Sequence, residues 1–195
     1  MPFGKQECTC KTEEYRHTNR QPCAECAARR YYVVNDEYEQ LNELRGTKTV
    51  IVGIGNTLKG DDGAGPLVCE KLQKAKVSAD VIDAGTVPEN YIQPIIKKAP
   101  QNLLVIDAID FSASAGTMNI FRPQQLNSLI ISTHTLSPRL FVDMVTQAID
   151  VNVYFIGIQP AQTKLAEAVS EQVNNAVERL VRILAEIFPP RAEKL

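Results

Sequence analysis

GIGNTLKGDDGAG, Gly53–Gly65, is the stretch on which the fold turns. It follows the apolar run KTVIV and precedes PLVCEKL, where Leu67, Val68 and Leu72 recur at helical spacing. A glycine-rich turn between a strand and a helix ordinarily cradles phosphate on the first helical amides. The dinucleotide pattern G-x-G-x-x-G takes Gly53 and Gly55 but meets Leu58 in its third place. The phosphate-loop pattern G-x-x-x-x-G-K-[ST] takes Gly55 and Gly60, then meets Asp61 and Asp62 where it needs lysine and a hydroxyl. Carboxylates there repel phosphate, and more strongly as water is excluded. The loop therefore argues against a nucleotide and for a strand–turn–helix unit that presents acids.

Outward from this loop the pattern is regular. Val50–Ile54, Val81–Ile82, Leu103–Ile106, Met118–Phe121 and Val151–Ile158 read as strands. Pro66–Lys74, Glu89–Lys98 and Ser137–Ala148 read as helices between them. A final helix runs through Leu165, Val169, Val173, Val177, Leu180, Leu184 and Ile187, and Pro189-Pro190 stops it. Strands alternating with helices predict a three-layer α/β/α fold around a mostly parallel sheet. Such sheets bind ligands beyond the carboxyl ends of their strands. Asp61 and Asp62 follow the first strand, Asp83 closes the second, Asp107 closes the third, and His134 follows the fourth in ISTHTLSP. One aspartate alone reads equally well as a helix cap or a loop-amide acceptor. Four carboxylates and an imidazole at one sheet edge would suit a divalent transition metal with open positions.

The remaining composition sets bounds. The chain has 195 residues, 44% hydrophobic and 23% charged, which fits one α/β domain over 46–195 and an appendage over 1–45. A net charge of −2 gives no electrostatic case for nucleic acid or an anionic membrane. The start, MPFGKQECTCKTEEY, lacks the apolar core of a secretory signal, and no run approaches a membrane span, so a cytoplasmic protein is expected. Four of the five cysteines, Cys8, Cys10, Cys23 and Cys26, crowd the appendage. Two close thiolate pairs in a reducing compartment suit tetrahedral zinc, with His17 to spare; a tail with incidental cysteines is the alternative. Cys69 sits in a helical pattern beside Val68 and Leu72 and reads as a buried thiol.

GIGNTLKGDDGAGPLV, VIDAGTVPEN, LLVIDAID, STHTLSP and FIGIQP, in this order, resemble the hydrogenase maturation endopeptidases, and among them the type that processes hydrogenase-3-like large subunits. The resemblance spans about Thr47 to Phe188. It implies a twisted five-stranded sheet between helices and a single endoproteolytic cut. The cut removes a C-terminal peptide from the large-subunit precursor of a nickel–iron hydrogenase after nickel insertion. It further implies that nickel seated in the precursor is recognised by Asp62, Asp107 and His134, with Asp83 a further acid near the site. Either the carboxylates act as a general base on water, or the metal polarises the water or the carbonyl. A non-cutting chaperone for the metallated precursor would use the same residues. PCAECAAR, Pro22–Arg29, also resembles the C-terminal cysteine motif of the large subunits themselves, which makes a substrate-like segment the third reading of the appendage.

Overall fold

The structure, a computed structural model, describes residues 39–123, 125 and 138–190. These belong to a compact unit spanning Asp36–Leu195. Five strands form one sheet: β1 (Thr49–Ile54), β2 (Asp80–Gly85), β3 (Asn102–Ala108), β4 (Met118–Phe121) and β5 (Asn152–Ile158). Five helices accompany them among the described residues: α1 (Glu39–Asn42), α2 (Ala64–Lys74), α3 (Ile92–Lys98), α4 (Pro138–Ala148) and α5 (Glu171–Ile187). The strand order is β2-β1-β3-β5-β4. Only β4 runs antiparallel to its neighbour, pairing Phe121 with Phe155 and Met118 with Ile158.

The central strands are apolar between their ends because both of their faces are covered. Side chains alternate across them. Ile51, Leu104, Ile106, Tyr154 and Ile156 pack on one face against Val68 and Leu72 of α2 and Val177, Leu180 and Leu184 of α5. Val50, Val52, Leu103, Val105 and Phe155 pack on the other against Ile92 and Ile95 of α3 and Phe141, Val142 and Val145 of α4. The mostly parallel, three-layer reading of the sequence is thus the observed one. No helix among the described residues is long and apolar enough to cross a membrane.

Some boundaries differ from the sequence reading. The final helix begins at Glu171, because the Ser170 side chain caps it by accepting the Val173 N–H at 3.4 Å. Leu165, which extended the apparent periodicity, is 70% exposed in the segment before the cap. The predicted Glu89–Lys98 helix divides into a 3-10 turn, Pro88–Tyr91, and α3, whose third residue is Pro94. A proline is tolerated there because first-turn amides have no intrahelical partner. The α/β unit also reaches further toward the N-terminus than 46, since Leu41 and Leu44 are fully buried against the α2–α5 face. Cys8, Cys10, His17, Cys23, Cys26, the Pro22–Arg29 motif and His134 lie outside the described residues.

Candidate functional site

The glycines of the opening stretch bring backbone against backbone. A Cβ on Gly65 would lie 2.3 Å from the Ile54 carbonyl oxygen and 2.6 Å from that of Ile106. One on Gly53 would lie 2.4 Å from the Gly65 oxygen and 2.6 Å from Cys69 Sγ. The first turn of α2 therefore rests directly on the carboxyl ends of β1 and β3. Gly55, at φ +139°, adopts a conformation that side chains oppose, and its missing Cβ leaves room for the Asp62 carbonyl. Cys69 lies beneath this contact and donates to the Ile82 carbonyl at 3.3 Å. Burial, helped by the charge of Asp83, pushes its thiol up to about 12 against the opposing Gly53 backbone. A thiol so held is inert.

The turn ahead of α2 is tied to itself. The Asn56 N–H donates both to the Asp62 carbonyl at 3.1 Å and to Asp62 Oδ2 at 3.0 Å. Asn56 Oδ1 accepts from the Leu58 N–H at 2.9 Å. Asp62 is thus bonded by an amide before it in the chain and does not cap α2 with its side chain. It is half-buried, and burial raises its pKa above the ordinary carboxylate value, while the Asn56 N–H and nearby Lys59 oppose the rise.

Asp107, the penultimate residue of β3, stands opposite Gly157 of β5 and is only 9% exposed. Burial lifts its pKa well above the ordinary value, the charge of Asp62 lifts it further, and the Ala108 N–H opposes. Asp62 and Asp107, 45 positions apart in the chain, are therefore brought within electrostatic reach, each ionising reluctantly. Such a pair takes up a proton or a cation readily.

The other two acids go elsewhere. Asp61 is fully buried and points inward, accepting hydrogen bonds from residues 161–170. Asp83 is exposed, accepts from the Gly85 N–H at 3.0 Å, and lines a groove of about 360 Å3 with Pro66, Leu67, Glu70 and Gln73 of α2. Strand alternation puts it on the α2–α5 face, whereas Asp107 shares the α3–α4 face with Leu103 and Val105. Among the described residues no three His, Cys, Asp or Glu side chains are grouped to hold a metal.

The sequence reading missed Gln159, which follows β5 and is 6% exposed. Its Oε1 accepts from the Phe111 N–H at 2.9 Å and the Ala113 N–H at 3.2 Å, and its Nε2 donates to Asp110 Oδ1 at 3.1 Å. Gln159 thereby fixes the loop that leaves the Asp107 end of β3. The available signal was an amide directly after an apolar strand, in FIGIQP.

Comparison with known proteins agrees with this architecture. The family model of the hydrogenase maturation protease HycI matches residues 66–187. The hydrogenase 3 maturation protease of Escherichia coli K12 is 34% identical over 137 residues, covering 69% of this chain and 87% of that protein. The crystal structure of the [NiFe] hydrogenase maturation protease HycI from Thermococcus kodakarensis superposes with a TM-score of 0.69 at 34% identity, over 76% of this chain and 97% of that one. The solution structure of the endopeptidase HycI from Escherichia coli gives 0.66 at 33% identity, over 76% and 99%.

Proposed function

The chain belongs to the hydrogenase maturation protease family, and from that premise we propose how its acids perform the cut. It is an endopeptidase that removes the C-terminal peptide of a nickel–iron hydrogenase large-subunit precursor. In this reading the precursor's nickel is part of the substrate, and Asp62, Asp107 and His134 meet it. The observation that carries the reading is the Asp62–Asp107 pair at the carboxyl edge of the sheet. Two carboxylates whose ionisation is opposed by burial and, at Asp107, by its neighbour's charge gain most from an arriving divalent cation. His134, four residues ahead of α4, supplies the nitrogen ligand; α4 covers the sheet face that Asp107 shares. Once the scissile bond is seated, the more exposed Asp62 takes the proton of the attacking water as general base. Asp107 stays ionised on the nickel, and the proton that Asp62 took from the water passes on to the leaving amine.

The test is mass spectrometry of the precursor incubated with the protein, with and without nickel in the precursor. Loss of a C-terminal peptide from the nickel-loaded form alone supports the proposal. Tight binding of that form with no peptide released would instead make the protein a chaperone of the metallated precursor. Asp62→Ala and His134→Ala, each checked for a native melting transition, abolish processing; a folded variant with full activity removes its residue from the site.

A further inference from the structure

Asp61 is a fully buried carboxylate that the proposed chemistry does not use. Its Oδ1 accepts from the Ser170 N–H at 2.6 Å. Its Oδ2 accepts from the Ala161 N–H at 2.7 Å, the Gln162 N–H at 3.1 Å and the Ser170 hydroxyl at 3.0 Å. Its own N–H donates to the Gln162 carbonyl at 3.1 Å. Five hydrogen bonds thus join one residue to the segment 161–170, all to neutral groups. Around them the Ala166 N–H donates to the Leu58 carbonyl at 2.8 Å, and the Gln162 side chain occupies the space that a Cβ on Gly60 would need, 2.3 Å away. The segment itself is stiffened by Gln162, which accepts from the Lys164 N–H at 2.8 Å and donates to the Ala168 carbonyl at 3.0 Å. It leads directly into the capped start of α5.

Asp61 and Asp62 are neighbours in a 3-10 turn, Gly60–Gly63. With about three residues per turn, successive side chains leave such a turn about 120° apart. Anchoring one of them fixes where the other points. We infer that Asp61 is a positioning residue: its carboxylate clamps the turn to the 161–170 segment and so aims Asp62 at Asp107 and the substrate. This rests on the functional reading above, because it makes the aim of Asp62 matter to cleavage. It accounts for the charge as well as the shape. Both carboxylate oxygens accept, whereas an asparagine has one acceptor and an NH2 that would face N–H donors.

The experiment compares the wild-type full chain with Asp61→Asn in two ways. The first is amide hydrogen exchange at Asn56, whose N–H bonds to Asp62 through both carbonyl and carboxylate and so reports the placement of Asp62 without substrate. The second is kcat and KM for precursor processing, below the melting point and per mole of folded enzyme. The clamp predicts a loss of Asn56 protection of about tenfold or more, and a kcat lowered about 10- to 100-fold with KM within about threefold. Unchanged Asn56 protection overturns it, as does an unchanged kcat in a folded variant. If Asp61→Asn does not fold, Ser170→Ala, which removes one of the four bonds to the carboxylate, must show a smaller loss in the same direction; no change overturns the inference. A wild type that cuts no precursor refutes the functional reading instead, and Asn56 exchange still decides the clamp.

Discussion

Asp107→Asn should make the protein more stable while it stops the reaction, and the gain should depend on pH with a defined sign. Asp107 is nearly inaccessible and is bonded by the Ala108 N–H, and Asp62 adds a like charge. An asparagine keeps an oxygen for the Ala108 N–H and turns an amide donor toward the Asp62 carboxylate. Removing the ionised buried carboxylate relieves about 2 kcal/mol, within the range for a poorly solvated polar group. For a chain of this size that raises the melting temperature by about 4–8 °C at neutral pH. The sign follows from proton linkage. Burial lifts the folded pKa above the unfolded value of about 3.9. Between the two values the native state holds the proton more often than the unfolded one. The contribution of Asp107 is therefore fully present below the unfolded value and is lost as pH rises through the folded one, with a slope of at most about 1.4 kcal/mol per pH unit. The asparagine variant has no such loss, so its advantage grows from acid to neutral pH and vanishes near pH 4. Urea denaturation of both proteins across that range measures the difference directly, and titrating groups that do not interact with Asp107 cancel in it. A constant gap, or a variant less stable than wild type at pH 7, would refute the account of Asp107 as a buried, charge-repelled carboxyl.

Other outcomes follow from the same structure. Gly65→Ala, whose Cβ meets the Ile54 and Ile106 carbonyl oxygens, should destabilise the fold by about 3 kcal/mol, seen as a lowered urea midpoint with an unchanged slope. Phe155→Ala, at a fully buried β5 position on the sheet face that α3 and α4 cover, should cost about 3–5 kcal/mol in the same assay. In a protein whose four N-terminal cysteines are changed to serine, Cys69 should resist iodoacetamide at pH 8 until denaturant is added. Because burial raises that thiol, its contribution to stability is present below an unfolded value near 9.0 and is lost as pH rises toward about 12; Cys69→Ala should remove that alkaline loss.

What the sequence conveys well here is what depends on local pattern. Apolar runs of a parallel sheet, such as LLVI of β3, and the helical repeat from Val173 to Ile187 locate their elements because burial alone dictates them. The aspartate near the end of β3 was legible for the same reason, since a polar residue after a buried run marks the approach of the sheet edge. What pattern does not carry is direction. Asp61 and Asp62 are identical in type and adjacent, yet a 3-10 turn sends one into the protein and leaves the other half-exposed. Asp83 and Asp107 look alike as acids late in apolar runs, but β2 continues past Asp83 to Gly85, and the β1 register pairs both Asp83 and Ile106 with Gly53, so the two acids leave opposite faces. The overrun of the last helix to Leu165 has a related cause. Val169 and Leu165 continue the period, but Ser170 and the Asp61 carboxylate compete for the amides a longer helix would have used.

The glycine-rich loop then explains why acids stand where phosphate usually sits. In a nucleotide-binding turn, glycines let the backbone approach an external anion and the exposed amides hold it. Here the glycines are spent on internal contact: Gly53 and Gly65 seat α2 on the strand ends, and Gly55 admits the Asp62 carbonyl. The Asn56 amide is taken by Asp62, and the amides at 161, 162 and 170 by Asp61. Asp61 receives three amides and a hydroxyl, enough to satisfy a buried charge. Asp62 receives one amide and the field of Lys59, while burial and, at Asp107, the neighbouring charge work against ionisation. The same loop thus divides its donors unequally between two adjacent carboxylates. One becomes a fixed point of the fold, and the other is left with a deficit that a cation or a proton can fill.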